Sequence, residues 1–325
     1  MSEAMNPPGQ AQSEIGGSGK EEVSPSPRVS VIILNYNGRH FLKDCLGSLA
    51  HQTFSDFEVL LADNGSTDGS VEFVRQEFPW VRALQLDRNY GFCGGNNRAV
   101  EQSKGEFVVL LNNDTKVDLN WLGELLKPAL DHPDVGACAS RILFIDRPEI
   151  IYAAGDSYAA FGVGLQRGHG WPAAGRFVQP EEVFSACACA ALYRRAMLDE
   201  IGLLDEDFFC NYEDTDLGFR ARLAGYRCLY VPRAIVYHHG GATVGIRNPR
   251  VEFRSSRNSE FVYFKNMPAA LLLPYLPFHL LYDGWFLASA LKHGLAFPFF
   301  KGKVAFLANL PRILAKGMPS KDDER

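Results

Sequence analysis

The sequence predicts an α/β fold, a mostly parallel central sheet flanked by helices. Three observations point there. Short β-branched apolar runs alternate with segments of helical spacing from residue 28 to about 140. Each apolar run ends in a cluster of Asn, Asp and Gly. Apolar residues make up 46% of the 325-residue chain, enough to bury both faces of such a sheet.

The elements follow in order. Val29–Asn35 (VSVIILN) reads as a buried strand, and residues 41–51 have helical spacing. Phe57–Asp63 (FEVLLAD) is a second strand; residues 70–78 are a helix opened by Thr67 and Asp68. Further strands are expected at 81–86 and 107–111, a helix at 120–132, and a strand at 135–139. Residues 141–183 are Gly- and Ala-rich and show no clear period. Beyond them, 185–193 reads as a strand, 195–201 and 214–224 as helices, and 226–231 and 235–237 as strands. Residues 268–318 are apolar but interrupted by Pro274, Pro277, His279 and Asp283, with Lys292, Lys301, Lys303, Arg312 and Lys316 following. A spanning helix needs about 20 cleaner apolar residues, so helices lying in a membrane interface, or ordinary packing helices, are expected instead.

Composition excludes several classes. A net charge of −5, from 33 basic and 38 acidic residues, argues against nucleic acid as a partner. Seven cysteines, an odd number scattered through apolar runs, read as buried thiols of a reducing compartment. Residues 1–27 lack an apolar stretch and are rich in Gly, Ser, Pro and Glu, which predicts a flexible tail without a secretion leader. The turn after the first strand lacks G-x-G-x-x-G, so a dinucleotide oxidoreductase is disfavoured.

Parallel sheets place ligands beyond the carboxyl ends of their strands, and the polar clusters sit there. Asp63, in Asp-Asn-Gly-Ser-Thr-Asp-Gly, can accept from the ring N–H of a bound base, although an Asx turn or helix cap is the commoner reading of the motif alone. Asp114, after FVVLLNN, offers hard oxygens to Mg²⁺ or Mn²⁺, or simply starts a helix. Asn112 and Asn113 add amides without charge. Asn89 to Asn97 (NYGFCGGNN) reads as a loop with free backbone N–H groups for a nucleotide sugar, or as a flexible connection. Glu213-Asp214 is either a tuned general base or a helix cap. His238-His239 ends a strand, where an imidazole can ligate a metal or be structural.

The ordered set VSVIILNYNG, DNGSTDGS, RNYGFCGGNN, VVLLNNDT, NYEDTDLGFRARLAGYR and VYHHGGAT resembles family 2 inverting glycosyltransferases of the GT-A fold. Within them it is most like the bacterial branch of surface-polysaccharide rhamnosyltransferases. The likeness covers about residues 28–315. It implies a disordered tail at 1–27, a GT-A domain at 28–240, a C-terminal helical acceptor and membrane-association segment at 241–318, and a tail at 319–325. It implies that Asp63 holds the base with Tyr36 packed near it. Asn89, Gly91, Gly95, Asn96, Asn97 and Asn113 would line the donor, and Asp114 and His238 would hold Mg²⁺ or Mn²⁺. Asp214 would be the catalytic base, with Glu213 orienting or sharing the proton. The implied partners are a nucleoside diphosphate sugar, with dTDP-rhamnose as a candidate, and a glycan or lipid-linked acceptor, at the inner face of the cell membrane. The D-x-D position reads Asn112-Asn113-Asp114, so a single carboxylate remains there. Two alternatives stand. A nucleotidyltransferase would need a basic first loop, where NYNGRH has only Arg39 and His40; a non-catalytic nucleotide- or glycan-binding module would tolerate loss of Asp214.

Overall fold

Strands β1 (Val29–Asn35), β2 (Phe57–Asp63), β3 (Arg82–Gln85) and β4 (Phe107–Asn112) form as their β-branched runs predict, all parallel. The computed structural model describes residues 26–240 and 248–317. The expected tails lie almost wholly outside the described residues, as does most of the Gly-Gly-Ala-Thr segment after His239. Helices α1 (Arg39–Ala50), α2 (Ser70–Glu77) and α3 (Gly91–Gln102) connect the four strands.

Beyond β4 the chain forms β5 (Thr115–Val117), α4 (Trp121–Asp131) and β6 (Val135–Phe144), the last longer than its sequence pattern suggested. The stretch without periodicity turns out to be strands: β7 (Arg147–Ala154), the hairpin β8 (Asp156–Ala159) and β9 (Val163–Gln166), and β10 (Glu181–Val183). They are short and irregular in register, and so leave no clean alternation to read. Then come β11 (Ala190–Arg194), α5 (Arg195–Ile201) and α6 (Glu213–Leu223). The two strands expected at 226–231 and 235–237 are one, β12 (Arg227–His238), whose pairing with β6 shifts between Val231 and Ile235. Pro232, without an N–H, sits in that interruption.

Among the described residues the main sheet runs β10-β12-β6-β11-β4-β1-β2-β3, with β5 on β12 and β7 on β6. It is mixed: β11 runs antiparallel between β4 and β6. Apolar layers fill both faces, one under Val31, Ile33, Trp121 and Leu125, the other under Ile32, Leu60, Phe208 and Tyr230. Helix α7 (Pro249–Asn266) buries Phe261, Val262 and Tyr263 in the second layer, so it shares a core with the sheet. Helices α8 (Ala269–Lys292) and α9 (Ala296–Ala315) pack beyond it. The run expected to be broken by Pro274 and Pro277 is one continuous helix. His279 stacks on Tyr263 at 4.0 Å and, through its ring Nδ1, hydrogen-bonds Phe161 O at 3.0 Å, which ties α8 down beyond the prolines. The seven cysteines are free, all but Cys210 buried.

Candidate active site

The ends of β1, β2 and β4 are level because Asn35 pairs with Asp63 and Leu34 with Asn112. Their polar termini therefore meet. Asn113 Nδ2 donates to Asn35 Oδ1 at 2.7 Å, and Asn35 Nδ2 donates to Asp63 Oδ1 at 3.0 Å. Asp63 Oδ2 accepts the Ser66 N–H at 3.0 Å. Asp63 is fully buried. In this conformation its carboxylate closes the turn after β2, and both oxygens are engaged. Gly38 lets the chain pass: a Cβ there would lie 2.1 Å from Asn113 Nδ2. Tyr36, just past the end of β1, is exposed. Asn35, expected as the polar end of β1 but given no site role, joins the other two residues.

The expected 89–97 loop is mostly helix. Asn64 secures its start, accepting the Tyr90 N–H at 2.8 Å and donating to Gly91 O at 3.0 Å, while Asn89 Oδ1 accepts the Gly91 N–H at 2.8 Å. Gly95, Asn96 and Asn97 are buried in α3. Asn97 grips the Leu204 backbone with both ends of its amide, at 2.8 and 3.1 Å. Asn96 donates to Phe92 O at 2.9 Å. Tertiary contact overrides the weak helix propensity of this stretch: a Cβ on Gly95 would lie 2.4 Å from Leu34 Cδ1, so only glycine lets α3 lie this close to β1.

Asp114 and His238 meet where β12 pairs with β5. His238 Nε2 lies 3.1 Å from Asp114 Oδ1, and both side chains are buried. Asp114 Oδ1 and His238 Nδ1 nevertheless have no hydrogen-bond partner, so the 3.1 Å contact is close without being aligned as a hydrogen bond. Asp114 Oδ1, unspent on hydrogen bonds, and His238 Nε2 beside it fit two ligands of one divalent cation. His239 instead packs on Phe41, ring centroids 5.1 Å apart.

A cleft of about 390 Å³ opens beside this pair. Asn112, Tyr152, Asp156, Gln166, Glu213 and Asp214 line it. The Tyr152 ring meets His238 edge-on at 4.5 Å. Cys189 lies between the two ends: burial pushes its thiol well up, and the charges of both Asp114 and Asp214 add to the push. Three carboxyl groups share the cleft. Burial and then the Asp214 charge push Glu213 up to about 8, and its Oε2 has no partner. Burial and the Asp214 charge also hold Asp156 well above the carboxylate range. Asp214 is raised by burial too, but backbone N–H groups of Ala188 (3.3 Å) and Thr215 (2.8 Å) oppose that rise. Like charges in one buried site cannot all ionise. Asp214, which accepts from the Ala188 and Thr215 N–H groups and from the Thr215 hydroxyl, is the one best built to carry the charge. Asp156 escaped the sequence reading; its one trace is a charged residue after a glycine in the apolar stretch IIYAAGD.

The turn before α6 is strained. Phe209, Asn211 and Tyr212 all have φ between 64° and 74°, costly for non-glycine residues. Asn258 of α7 holds it, its Nδ2 within 3.0 Å of the carbonyls of Phe208, Cys210 and Asn211. Asp216 anchors the next turn, accepting from Arg220 Nε at 2.9 Å and from Lys265 Nζ and Asn266 Nδ2 at 2.8 Å.

The sequence model described as "Glycosyl transferase family 2" matches residues 30–202. This chain belongs to glycosyl transferase family 2. As a glycosyltransferase it is 31% identical over 257 residues to the N-acetylglucosaminyl-diphospho-decaprenol L-rhamnosyltransferase of Mycobacterium tuberculosis H37Rv, covering 72% of this chain and 82% of that protein. It is 32% identical over 238 residues to the uncharacterized protein y4gI of Sinorhizobium fredii, covering 68% of this chain but 25% of that longer protein. In structure it is similar to TarS of S. aureus in complex with UDP-GlcNAc (TM-score 0.58, 19% identity, 90% of this chain and 84% of that one). It is also similar to the mannosyltransferase PcManGT of Pyrobaculum calidifontis in complex with GDP-Man and Mn²⁺ (TM-score 0.54, 19% identity, 88% and 90%). The shared fold is GT-A.

Elsewhere in this glycosyltransferase, one group of three metal-capable side chains occurs among the described residues: Glu260, His279 and Asp283. Lys303 Nζ fills it, ion-paired to Glu260 and 2.6 Å from Asp283 Oδ2. Burial opposes ionisation of Glu260, but the His279 hydrogen bond and the Lys303 charge outweigh it and bring its carboxyl to about 2. This is an ion-pair cluster that joins α7, α8 and α9. Among the described residues no helix is long and apolar enough to cross a membrane.

Proposed function

We propose that this enzyme moves a sugar, rhamnose from dTDP-rhamnose foremost, from a nucleoside diphosphate to a hydroxyl of a lipid-linked saccharide, with inversion. The observation that carries this reading is the cleft lined by Asp214 at one end and at the other by Asn112 and Tyr152, whose ring packs edge-on against His238 of the Asp114–His238 pair. The mycobacterial relative's name specifies an L-rhamnosyltransferase acting on a diphospho-decaprenol acceptor, which supports the donor sugar and the acceptor class.

The base would rest against Tyr36 and the turn closed by Asp63, with Asn113 and the start of α3 from Asn89 lining the donor. Asp114 and His238 would hold Mg²⁺ or Mn²⁺; the neighbour holding GDP-Man and Mn²⁺ supports a divalent ion. Such an ion, when bound, supplies positive charge beside the diphosphate. Asp214 takes the acceptor hydroxyl proton. The freed oxygen attacks the anomeric carbon from the face opposite the diphosphate, the carbon–oxygen bond to phosphate breaks, and the nucleoside diphosphate leaves. Glu213 and Asp156, holding their protons, keep the cleft from carrying three negative charges and leave Asp214 as its base.

Residues 28–240 would form the catalytic unit, with α7–α9 on the acceptor side. On α8 and α9, Leu273, Leu281, Trp285, Phe297, Val304 and Leu307 are exposed, a face suited to lie in the headgroup layer of the inner membrane. The test is a transfer and binding screen over dTDP-, UDP-, GDP- and CMP-sugars with Mg²⁺ or Mn²⁺. The reading expects one donor to bind and turn over. It fails if none binds, or if Asp214→Asn retains full turnover.

A further inference from the structure

A second concavity lies on the other side of the strained turn. It is a groove of about 370 Å³ between the first turns of α7 and α9. Its floor is apolar, from Pro249, Phe253, Phe297 and Pro298, and three cations line it, Arg250, Arg254 and Lys301. Among the described residues none of the three cations makes an ion pair with a carboxylate. Arg254 instead stacks its guanidinium on the Phe209 ring, 4.5 Å from its centroid. Its charge is also felt by Cys210 and Glu213, where it opposes part of the rise that burial causes. Ser255, the next residue of α7, lines the catalytic cleft. Groove and cleft are thus separated by little more than the Phe209–Cys210 segment. Phe297, 79% exposed, belongs both to the groove and to the apolar face of α9.

We propose that this groove binds the diphosphate and first isoprenoid units of a lipid-linked acceptor. The inference rests on the glycosyl-transfer reading and assigns it an acceptor subsite. Three cations without an ion pair among the described residues, set against an apolar floor, complement a ligand that is anionic at one end and hydrocarbon at the other. Neither a free sugar nor a protein strand needs that combination. The place also suits it: the isoprenoid leaves along the apolar face, and the sugar beyond the diphosphate reaches past Ser255 toward Asp214.

The probe is farnesyl diphosphate. Its binding to the full chain is measured by calorimetry with dTDP and Mn²⁺ at saturation, so that the donor site is already filled. Wild type is expected to bind it, and to bind farnesol and inorganic pyrophosphate more weakly. Arg254→Gln and the surface double variant Arg250→Gln/Lys301→Gln should each weaken it about tenfold or more, with dTDP affinity unchanged as proof of folding. The inference is overturned if wild type does not bind farnesyl diphosphate at millimolar concentration, or if both variants bind it as wild type does. It is also overturned if the variants lose binding only to phosphatidylglycerol vesicles, which would make the groove a phospholipid contact. Failure of dTDP to bind would instead strike the donor reading, and farnesyl diphosphate alone would then judge the groove.

Discussion

Glu213 offers a test of the electrostatics that does not depend on knowing the substrate. In the folded protein its carboxyl keeps its proton up to about 8, against an ordinary value of 4.5. Between those values the unfolded chain has lost the proton and the folded protein has not. The unfolded state binds fewer protons, so stability falls as pH rises through this window, by about 1.4 kcal/mol per pH unit. At pH 7, two and a half units above the ordinary value, the accumulated cost is about 3 kcal/mol. Glu213→Gln keeps the shape and removes the titration. It should therefore be more stable than wild type by about 3 kcal/mol at pH 7. The two should coincide below about pH 4.5, and the difference should level off above about 8. Asp156 and Asp214 contribute with the same sign and are present in both proteins, so the difference reports Glu213 together with its coupling to these two neighbours. Urea unfolding of both proteins at several pH values from 4.5 to 8.5 measures it. A difference that stays constant across that range would refute the claim that burial and Asp214 hold the proton on Glu213.

Other outcomes follow from the same structure. Asp214→Asn should cut transfer by about 10²–10⁴-fold with donor affinity preserved, read by single-turnover kinetics and nucleotide calorimetry. Asp114→Ala and His238→Ala should each weaken the Mn²⁺-dependent part of nucleotide binding by about tenfold or more and leave metal-free binding unchanged, read by titration with and without EDTA. Asp216→Asn leaves Arg220 buried against a neutral partner and Lys265 with Asp205 as its remaining carboxylate, and should cost about 3–5 kcal/mol, read as a fall in the urea midpoint. For the membrane face, truncating α8 and α9 is the wrong test. α9 closes on α7, with Gly302 so near that a Cβ would lie 2.0 Å from Ser256 Oγ, so its loss would open the core. Leu281→Glu with Trp285→Glu should instead weaken pelleting with anionic vesicles by about tenfold and leave the melting temperature unchanged.

The parts of the site legible in the sequence are those that a parallel sheet brings together by rule. β1, β2 and β4 are β-branched runs in parallel register, so their polar ends had to share an edge, and Asn35, Asp63 and Asn113 do form one hydrogen-bonded chain there. Glu213 and Asp214 are singled out by the family resemblance, because adjacent carboxylates at a helix start read equally well as a cap. What could not be read depends on contacts distant in sequence. Asp156 enters the cleft because Gly155, at φ +74°, turns the chain between β7 and the β8–β9 hairpin, and nothing near it in sequence announces a cleft. The Gly- and Asn-rich 89–97 stretch has the composition of a loop, yet Gly95 lets α3 touch Leu34 and the burial gained outweighs propensity.

The same reasoning explains why the strained turn is tolerated. Three consecutive-neighbourhood residues at positive φ would each cost on the order of 1–3 kcal/mol, and a free loop would relax. Asn258 and Arg257 of α7 hold the turn's carbonyls from Asp207 to Asn211, and Asp216 ties α6 to Lys265 and Asn266 of the same helix. Helix α7 therefore sets where Glu213 and Asp214 stand. It also supplies Ser255 to the cleft and Arg250 and Arg254 to the groove. A ligand that moved α7 would move Asp214 with it. Asn258→Ala should accordingly lower turnover more than donor affinity, because the strand-end residues Asp63 and Asn113 of the proposed donor site are held by Asn35 and Ser66 and not by that turn. An equal loss in both would show that the turn supports the whole fold rather than positioning its carboxylates.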